Sequence, residues 1–280
     1  MSGAIAPGQI GPKAYEAWRA TLLGRVTEAI EQRLVLELMG ELRNARVLDA
    51  GCGDGALVCT AAARGAVATG LDPDPARLTA ARTQAERAGL TPAFVDGRIE
   101  RLPFADASFD VVVAVTVLCF LTDASGAVCE MARVLRPGGR LVLGELGRWS
   151  FWAMIRRVRG WLGAETWKAA RFRTAGELRT LAESAGLSVT VIRGAVFYPP
   201  IGKLARILAP LDPWLGRVTT SGAAFVALQA LAVGDPPVRQ PLADGRYVRT
   251  GAAGGDPGRA SNNDRLQERA TETRTARARL

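Results

Sequence analysis

The sequence predicts an α/β protein built on a doubly wound, mainly parallel β-sheet. Short and nearly continuous apolar segments alternate with amphipathic segments from residue 46 to residue 192. This alternation is expected when each strand is covered by helices on both faces of a sheet. A glycine-rich turn follows the first of the apolar segments, as it does in many doubly wound sheets. The 280 residues suffice for one large domain of this kind or two small ones.

The individual elements follow from apolar periodicity and from breaker residues. Residues 1–12 are rich in Gly and Pro and are expected to be flexible. Apolar residues at three- and four-residue steps predict a helix over 13–43. Strands are predicted at 47–49, 67–72, 91–95, 109–115, 140–145, 187–192 and 223–230. Helices are predicted at 55–64, 75–88, 124–135 and 174–185. The breaker cluster at 136–139 is expected to turn the chain into the fifth strand.

Two segments interrupt the alternation, at about 147–173 and 197–220, and both are rich in Trp, Arg, Leu and Pro. We expect them to form caps over the sheet edge at which ligands bind. We place the domain over 13–234. Residues 235–280 contain few large apolar side chains and are predicted to be a disordered basic tail.

Composition excludes several kinds of chemistry. The chain has no histidine, which excludes His-based acid–base catalysis and removes the commonest metal ligand, so we expect no metal site. The four cysteines form no CxxC pair and are expected to be buried and reduced. The net charge of +9 is carried mainly by arginine and does not identify a partner. With no secretory pattern and no membrane-spanning apolar run, we expect a cytoplasmic protein.

The glycine-rich turn is the main functional motif. It spans 49–55 with the pattern D-x-G-x-G-x-G, between a predicted strand and a predicted helix. Glycines allow a ligand to approach the backbone closely, and the helix start offers unpaired N–H groups. The same residues also match a dinucleotide fingerprint, with Asp72 about twenty residues on as a ribose-binding acid. The motif alone therefore leaves NAD and S-adenosylmethionine (SAM) as alternatives.

Asp49 favours SAM. Its carboxylate lies two residues before the first glycine, where it would repel the pyrophosphate of NAD. SAM has no phosphate and carries an ammonium and a sulfonium group, both of which an acid would attract.

Several motifs in order resemble class I SAM-dependent methyltransferases of the ubiquinone/menaquinone-biosynthesis type, also called methyltransferase type 11. They are VLDAGCGDG at 47–55, GLDP at 70–73, LPF at 102–104, SFD at 108–110 and MARVLRPGG at 131–139. The resemblance covers residues 47–145, about a third of the chain. It implies a Rossmann-like, seven-stranded sheet whose last strand is antiparallel, and SAM as the cofactor.

The resemblance also implies roles for particular residues. Asp49 and the loop would line the methionine and ribose side of SAM, Asp72 would bind both ribose hydroxyls, and Val115 would lie beneath the methyl donor. Arginine stands at 98 where the family usually has an acid, so the adenine contact would come from the backbone of Arg98 and Ile99 or from Asp96. The full set of expected cofactor residues is Tyr15, Trp18, Asp49, Ala50, Gly51, Cys52, Gly53, Leu71, Asp72, Pro73, Arg98, Ile99 and Val115.

Three assignments remain open on the acceptor side. Tyr15 and Trp18 are one helical turn apart, and either close over the cofactor or only dock the helix. If the acceptor must lose a proton, the candidate bases are Glu145, Tyr198 or no residue at all. The segment 149–162 interleaves three tryptophans with three arginines, which fits a lid, a contact with an anionic membrane, or an ordinary amphipathic helix.

The sequence thus predicts methyl transfer from SAM to a small, apolar or lipid-like acceptor under the caps. We expect no nucleic-acid partner, because strand four does not end in the Asn/Asp-Pro-Pro-aromatic motif of amino-methylating DNA enzymes. Two alternatives stay open: a nicotinamide-dependent oxidoreductase on the same fold, and a SAM-binding or membrane-associated protein without catalysis. The acceptor and the oligomeric state are not predicted.

Overall fold

Seven strands form one sheet in the computed structural model, which describes residues 17–233, 239–241 and 247–249. The strands are β1 (Arg46–Ala50), β2 (Val67–Asp72), β3 (Ala93–Asp96), β4 (Phe109–Val115), β5 (Leu135–Leu146), β6 (Leu187–Ala195) and β7 (Phe225–Ala232). Their order across the sheet is β3-β2-β1-β4-β5-β7-β6. The pairs among β1 to β5 are parallel, and β7 is antiparallel to both of its neighbours, β5 and β6. The predicted seven-stranded sheet with an antiparallel last strand is confirmed.

Helices cover both faces of this sheet. They are α1 (Leu22–Met39), α2 (Ala56–Ala63), α3 (Pro75–Arg87), α4 (Ala124–Val134), α5 (Phe151–Trp161), α6 (Glu165–Ala169), α7 (Ala175–Ser184), α8 (Gly202–Leu208) and α9 (Asp212–Val218). Alternate residues of the central strands point to opposite faces of the sheet. Leu48 and Val112 pack with α4 and α7, whereas Val47, Val111 and Val113 pack with α1 and α2. This two-sided burial explains why the strands are continuously apolar.

The N-terminal helix is shorter than predicted. α1 begins at Leu22 because the Thr21 side chain accepts a hydrogen bond of 3.0 Å from the backbone N–H of Gly24, which is an N-cap. Residues 17–19 form a separate helical turn before this cap, so Trp18 does not belong to α1. Tyr15 lies outside the described residues.

The breaker cluster at 136–139 does not precede the fifth strand but lies within it. β5 already begins at Leu135, which pairs with Phe109, and pairing resumes between Arg140 and Val111. The intervening residues form an irregularity in the strand, and Gly138 adopts a φ of +73° there. Because β4 pairs with residues on both sides of the cluster, the cluster interrupts β5 and does not precede it.

Both predicted cap segments are helical, but only the first borders the cleft at the carboxyl ends of the strands with its helices, whereas the second contributes Pro200 alone. The segment 147–173 contains α5 and α6, and the segment 197–220 contains α8, a 3-10 turn (Ala209–Leu211) and α9. The Trp152 indole N–H donates to the Tyr198 carbonyl over 2.7 Å, so the two segments are neighbours. No helix in the described part of the chain is long and apolar enough to cross a bilayer.

Within the predicted tail, the structure describes only β8 (Arg239–Pro241) and β9 (Tyr247–Arg249), which pair antiparallel. The rest of 235–280, like residues 1–12, lies outside the described residues. The disorder of the tail and the flexibility of the N-terminus therefore stay predictions.

Candidate active site

A cleft of about 1540 Å³ opens at the carboxyl ends of β1, β2 and β4. It lies next to the point where the strand order reverses between β1 and β4, which is the usual ligand position in doubly wound sheets. The predicted cofactor residues that line it are Trp18, Asp49, Gly51, Cys52, Gly53, Leu71, Asp72, Pro73, Arg98, Ile99 and Val115. Ala50 does not line the cleft; it is fully buried in the core below the loop.

The glycine loop has a conformation that only glycine adopts easily. Gly51 has a φ of +90°, and a Cβ at this position would lie 2.4 Å from a methyl carbon of Val117. The backbone N–H groups of Gly51 and Cys52 donate to the Leu71 carbonyl over 2.7 and 2.9 Å. These bonds hold the loop against the end of β2.

Asp72, the last residue of β2, is bound to this loop through its carboxylate. Oδ2 accepts a hydrogen bond of 3.0 Å from the Gly53 N–H, and Oδ1 accepts one of 2.9 Å from the Asp74 N–H. Each carboxylate oxygen has a second acceptor position, so two ribose hydroxyls could still donate to it. Burial raises the pKa of Asp72, and the two backbone hydrogen bonds oppose that rise.

The cofactor end of the cleft is acidic. Asp49 is almost fully buried, and burial together with the charges of Asp72 and Asp54 raises its pKa to about 7. A carboxylate held in this way is stabilised by a cationic ligand and destabilised by an anionic one. The arrangement fits the ammonium and sulfonium groups of SAM, and it would oppose a pyrophosphate.

Arg98 lines the cleft with an exposed side chain. The side chain is 70% exposed, and its guanidinium bonds Glu100 over 3.0 Å. The neighbouring Ile99 is buried and lines the same part of the cleft. This placement is consistent with a backbone contact from the two residues.

The other end of the cleft is formed by the first cap and by α1. The Arg156 guanidinium of α5 lies between two indole rings, 5.1 Å from the centroid of Trp152 and 4.9 Å from that of Trp167. Such stacking holds a cation in place without neutralising it. Glu31 and Gln32 of α1 line the cleft together with these residues. This end therefore combines aromatic walls with two acids of α1, Glu28 and Glu31, and two arginines of α5, Arg156 and Arg159.

Comparisons with known proteins agree with this geometry. A family model described as a methyltransferase domain matches residues 48–143. An uncharacterized protein of Mycobacterium tuberculosis is 34% identical over 223 residues, covering 78% of this chain and 71% of that protein. A ubiquinone biosynthesis O-methyltransferase of Methylobacterium sp. is 35% identical over 162 residues, covering 56% of this chain and 65% of that enzyme.

A solved SAM-dependent methyltransferase from Thermotoga maritima has the same fold. It superimposes with a TM-score of 0.60 at 24% identity, covering 79% of this chain and 95% of that one.

The chain belongs to the SAM-dependent methyltransferases. The resemblance to methyltransferase type 11 is confirmed, and S-adenosyl-L-methionine is the cofactor. These comparisons support methyl transfer over the nicotinamide-dependent oxidoreductase that the sequence left open, in agreement with the acidic cofactor end.

Neither base candidate from the sequence lines the cleft of this methyltransferase. Glu145 is completely buried at the end of β5, where it accepts a 2.8 Å hydrogen bond from the Leu118 N–H and lies 3.7 Å from the Arg173 guanidinium. Tyr198 is also buried, and its hydroxyl lies 3.1 Å from the Thr27 hydroxyl. Both side chains have structural partners, and neither is positioned to take a proton from an acceptor in the cleft.

Glu31 is the acid that sequence reasoning missed. It lines the cleft, and within residues 17–233 its carboxylate has no hydrogen bond or ion pair. Burial raises its pKa to about 7, Glu28 and Asp212 add to the rise, and Arg156 opposes it. A signal was present in the sequence, because Glu31 falls one turn after Thr27 on the buried face of an amphipathic helix. An acid on such a face indicates either a partner or a function.

Proposed function

We propose that this methyltransferase transfers the methyl group of SAM by direct displacement to a small, apolar or lipid-like acceptor held under the first cap. The observation that carries the proposal is the two-ended cleft, acidic and glycine-lined at one end and aromatic at the other. Ligand pockets typically measure roughly 300–1,000 Å³. The larger cleft leaves room for the cofactor and an acceptor together.

The cofactor end would hold SAM through charge and shape. Bound SAM supplies an electrophilic methyl group on a sulfonium. Asp49 would offset the positive charge of the ligand, and Asp72 would accept hydrogen bonds from the ribose hydroxyls. Leu71 and Pro73 would flank the adenine, and Trp18 would close over the cofactor from the N-terminal side.

The acceptor end favours an apolar molecule. Its walls include Phe120, Leu121, Ile155 and the two tryptophans around Arg156. The similarity to a ubiquinone biosynthesis O-methyltransferase supports an acceptor of this type. Excluding water and aligning the acceptor with the S–CH3 bond would contribute much of the rate.

Glu31 is our candidate proton acceptor. It belongs to the cleft, it has no hydrogen-bonded partner in residues 17–233, and its pKa of about 7 suits a base at neutral pH. The nearby Arg156 would stabilise the deprotonated form. A hydroxyl acceptor could then lose its proton to Glu31 as the methyl group is transferred.

The proposal is tested with isotope-labelled SAM and an extract of the source organism. We expect label in one or a few small, extractable molecules, which mass spectrometry then identifies. The Asp72→Ala variant serves as the control without cofactor binding. Label confined to nucleic acid or protein would contradict the small acceptor. SAM binding without any labelled product would instead support the non-catalytic alternative.

A further inference from the structure

The first cap carries an apolar stripe on its outer face. Phe151, Met154, Val158 and Trp161 of α5 follow one another at three- and four-residue steps, so they share one side of the helix. Each is exposed, and Trp161 is 85% exposed. The opposite side holds the buried Trp152 and the residues that line the cleft. The outer face of α5 is therefore apolar where a solvated helix would be polar.

The second cap carries a similar stripe. Leu204, Ile207, Leu211, Trp214 and Val218 recur at steps of three, four, three and four residues, and all five are exposed. They lie on α8, the 3-10 turn and α9. Isolated exposed apolar residues are normal on a protein surface, but a stripe of this length in each of two neighbouring caps is not.

Half of the tryptophans line the cleft, and the other half are exposed on the two caps. Three of the six line the cleft, namely Trp18, Trp152 and Trp167. The other three, Trp149, Trp161 and Trp214, belong to the caps and are between 64% and 85% exposed. Exposed tryptophans of this kind are typical of surfaces that meet the interface of a bilayer.

Almost all of the net charge of the chain lies in the same two segments. Residues 147–173 and 197–220 contain ten basic and two acidic side chains, a formal charge of +8 out of +9 for the whole chain. One of the two acids, Asp212, is buried and accepts hydrogen bonds from the Val196 and Phe197 N–H groups. Lys203, Arg206 and Arg217 are exposed on α8 and α9, the helices of the second stripe, whereas Arg156 and Arg159 of α5 line the cleft. The outer surface of the second segment is thus both apolar and cationic.

We propose that α5 and the segment 201–218 dock this methyltransferase onto an anionic phospholipid bilayer. Apolar side chains enter the acyl boundary while basic side chains bind lipid phosphates, as in interfacial helices. The charge argues for a lipid surface over a second copy of this chain, because two surfaces of the same strong positive charge repel each other.

Docking in this way would place the bilayer next to the acceptor end of the cleft. Trp152, Ile155 and Arg156 line the cleft from the inner side of α5, whose outer side carries the stripe. A lipid-like acceptor could then enter from the bilayer. This last step rests on the proposed acceptor class, whereas docking itself does not.

The test is co-sedimentation of the full chain with vesicles of phosphatidylcholine alone and of phosphatidylcholine mixed with phosphatidylglycerol. We expect binding to the anionic vesicles to be stronger by about a hundredfold, given three exposed basic residues, and to weaken with added salt. The double variant Trp161→Glu/Trp214→Glu should lose most of that binding. Both positions are well exposed, so the variant should fold.

Val67→Glu is the matched control, because Val67 is 63% exposed on β2, outside both caps. It should bind vesicles like the original protein. All variants are also checked in solution for stabilisation by SAM, which tests the proposed function separately. Absence of vesicle binding, or binding that the double variant retains, would overturn the proposal. So would a dimer that the double variant converts to a monomer, since the stripes would then be a self-interface.

Discussion

The backbone N–H of Gly53 donates a hydrogen bond of 3.0 Å to the carboxylate of Asp72. This bond joins the glycine loop after β1 to the acid at the end of β2, so the two halves of the cofactor motif form one structural unit. Asp72 consequently has two roles. It is expected to bind the ribose, and it also holds the loop in the shape that the ligand needs.

We expect Asp72→Ala to abolish the rise in melting temperature that SAM or S-adenosylhomocysteine produces. The variant loses the proposed ribose contact and leaves the Gly53 and Asp74 N–H groups without their acceptor. The second effect should cost about 1–3 kcal/mol of the free energy of unfolding. Thermal denaturation with and without ligand measures both. NAD should produce no shift in either protein, and a retained SAM shift would refute the role of Asp72.

SAM affinity should depend on pH through Asp49. The pKa of Asp49 is about 7 in the free protein, because of burial and the nearby Asp72 and Asp54. A cationic ligand favours the charged carboxylate, so affinity should fall as the pH drops below about 7, by about tenfold per unit once Asp49 is protonated. Titration calorimetry across this range measures it. Asp49→Asn should bind SAM more weakly, and its affinity should depend less on pH. An equally steep pH dependence in this variant would show that a group other than Asp49 causes it.

Glu31→Gln should lower kcat and remove its dependence on pH. A base acts in its deprotonated form, so the rate of the original enzyme should rise with pH through about 7. Loss of a general base typically costs about 10²–10⁴ in rate. The measurement is a pH–rate profile with the acceptor identified from the extract. Glu37→Gln on the same helix is the control, since Glu37 is half exposed and pairs with Arg193.

Tyr198→Phe should lower stability and leave catalysis intact. The substitution removes a hydroxyl that is buried against the Thr27 hydroxyl, 3.1 Å away. We expect a loss of about 1 kcal/mol in the free energy of unfolding, measured by chemical denaturation. Unchanged kcat and KM would support a structural role. A large fall in kcat at unchanged stability would restore Tyr198 as a base candidate.

The sheet was largely predictable from the sequence. The apolar segments 67–72 and 109–115 match β2 and β4 residue for residue, because strands covered on both faces must be apolar throughout. The start of α3 follows from Asp74 and Pro75, whose capping preferences are local. The irregularity at 136–139 was not predictable, since only the pairing of Leu135 with β4 places these residues within the strand.

The sequence by itself determined the fold class and most residues of the cofactor end, because the loop and Asp72 lie in short local motifs. It favoured SAM over NAD through Asp49 and the ordered motifs that follow the loop. Only the tertiary structure decided the acceptor end. Glu31 and Arg156 are far apart in the chain and line the same cleft because α1 and α5 both border it. Periodicity showed that α5 is amphipathic, but not that its apolar side faces outward. Local patterns specify strands, turns and caps, whereas the side of a helix that faces solvent depends on what the rest of the chain packs against it.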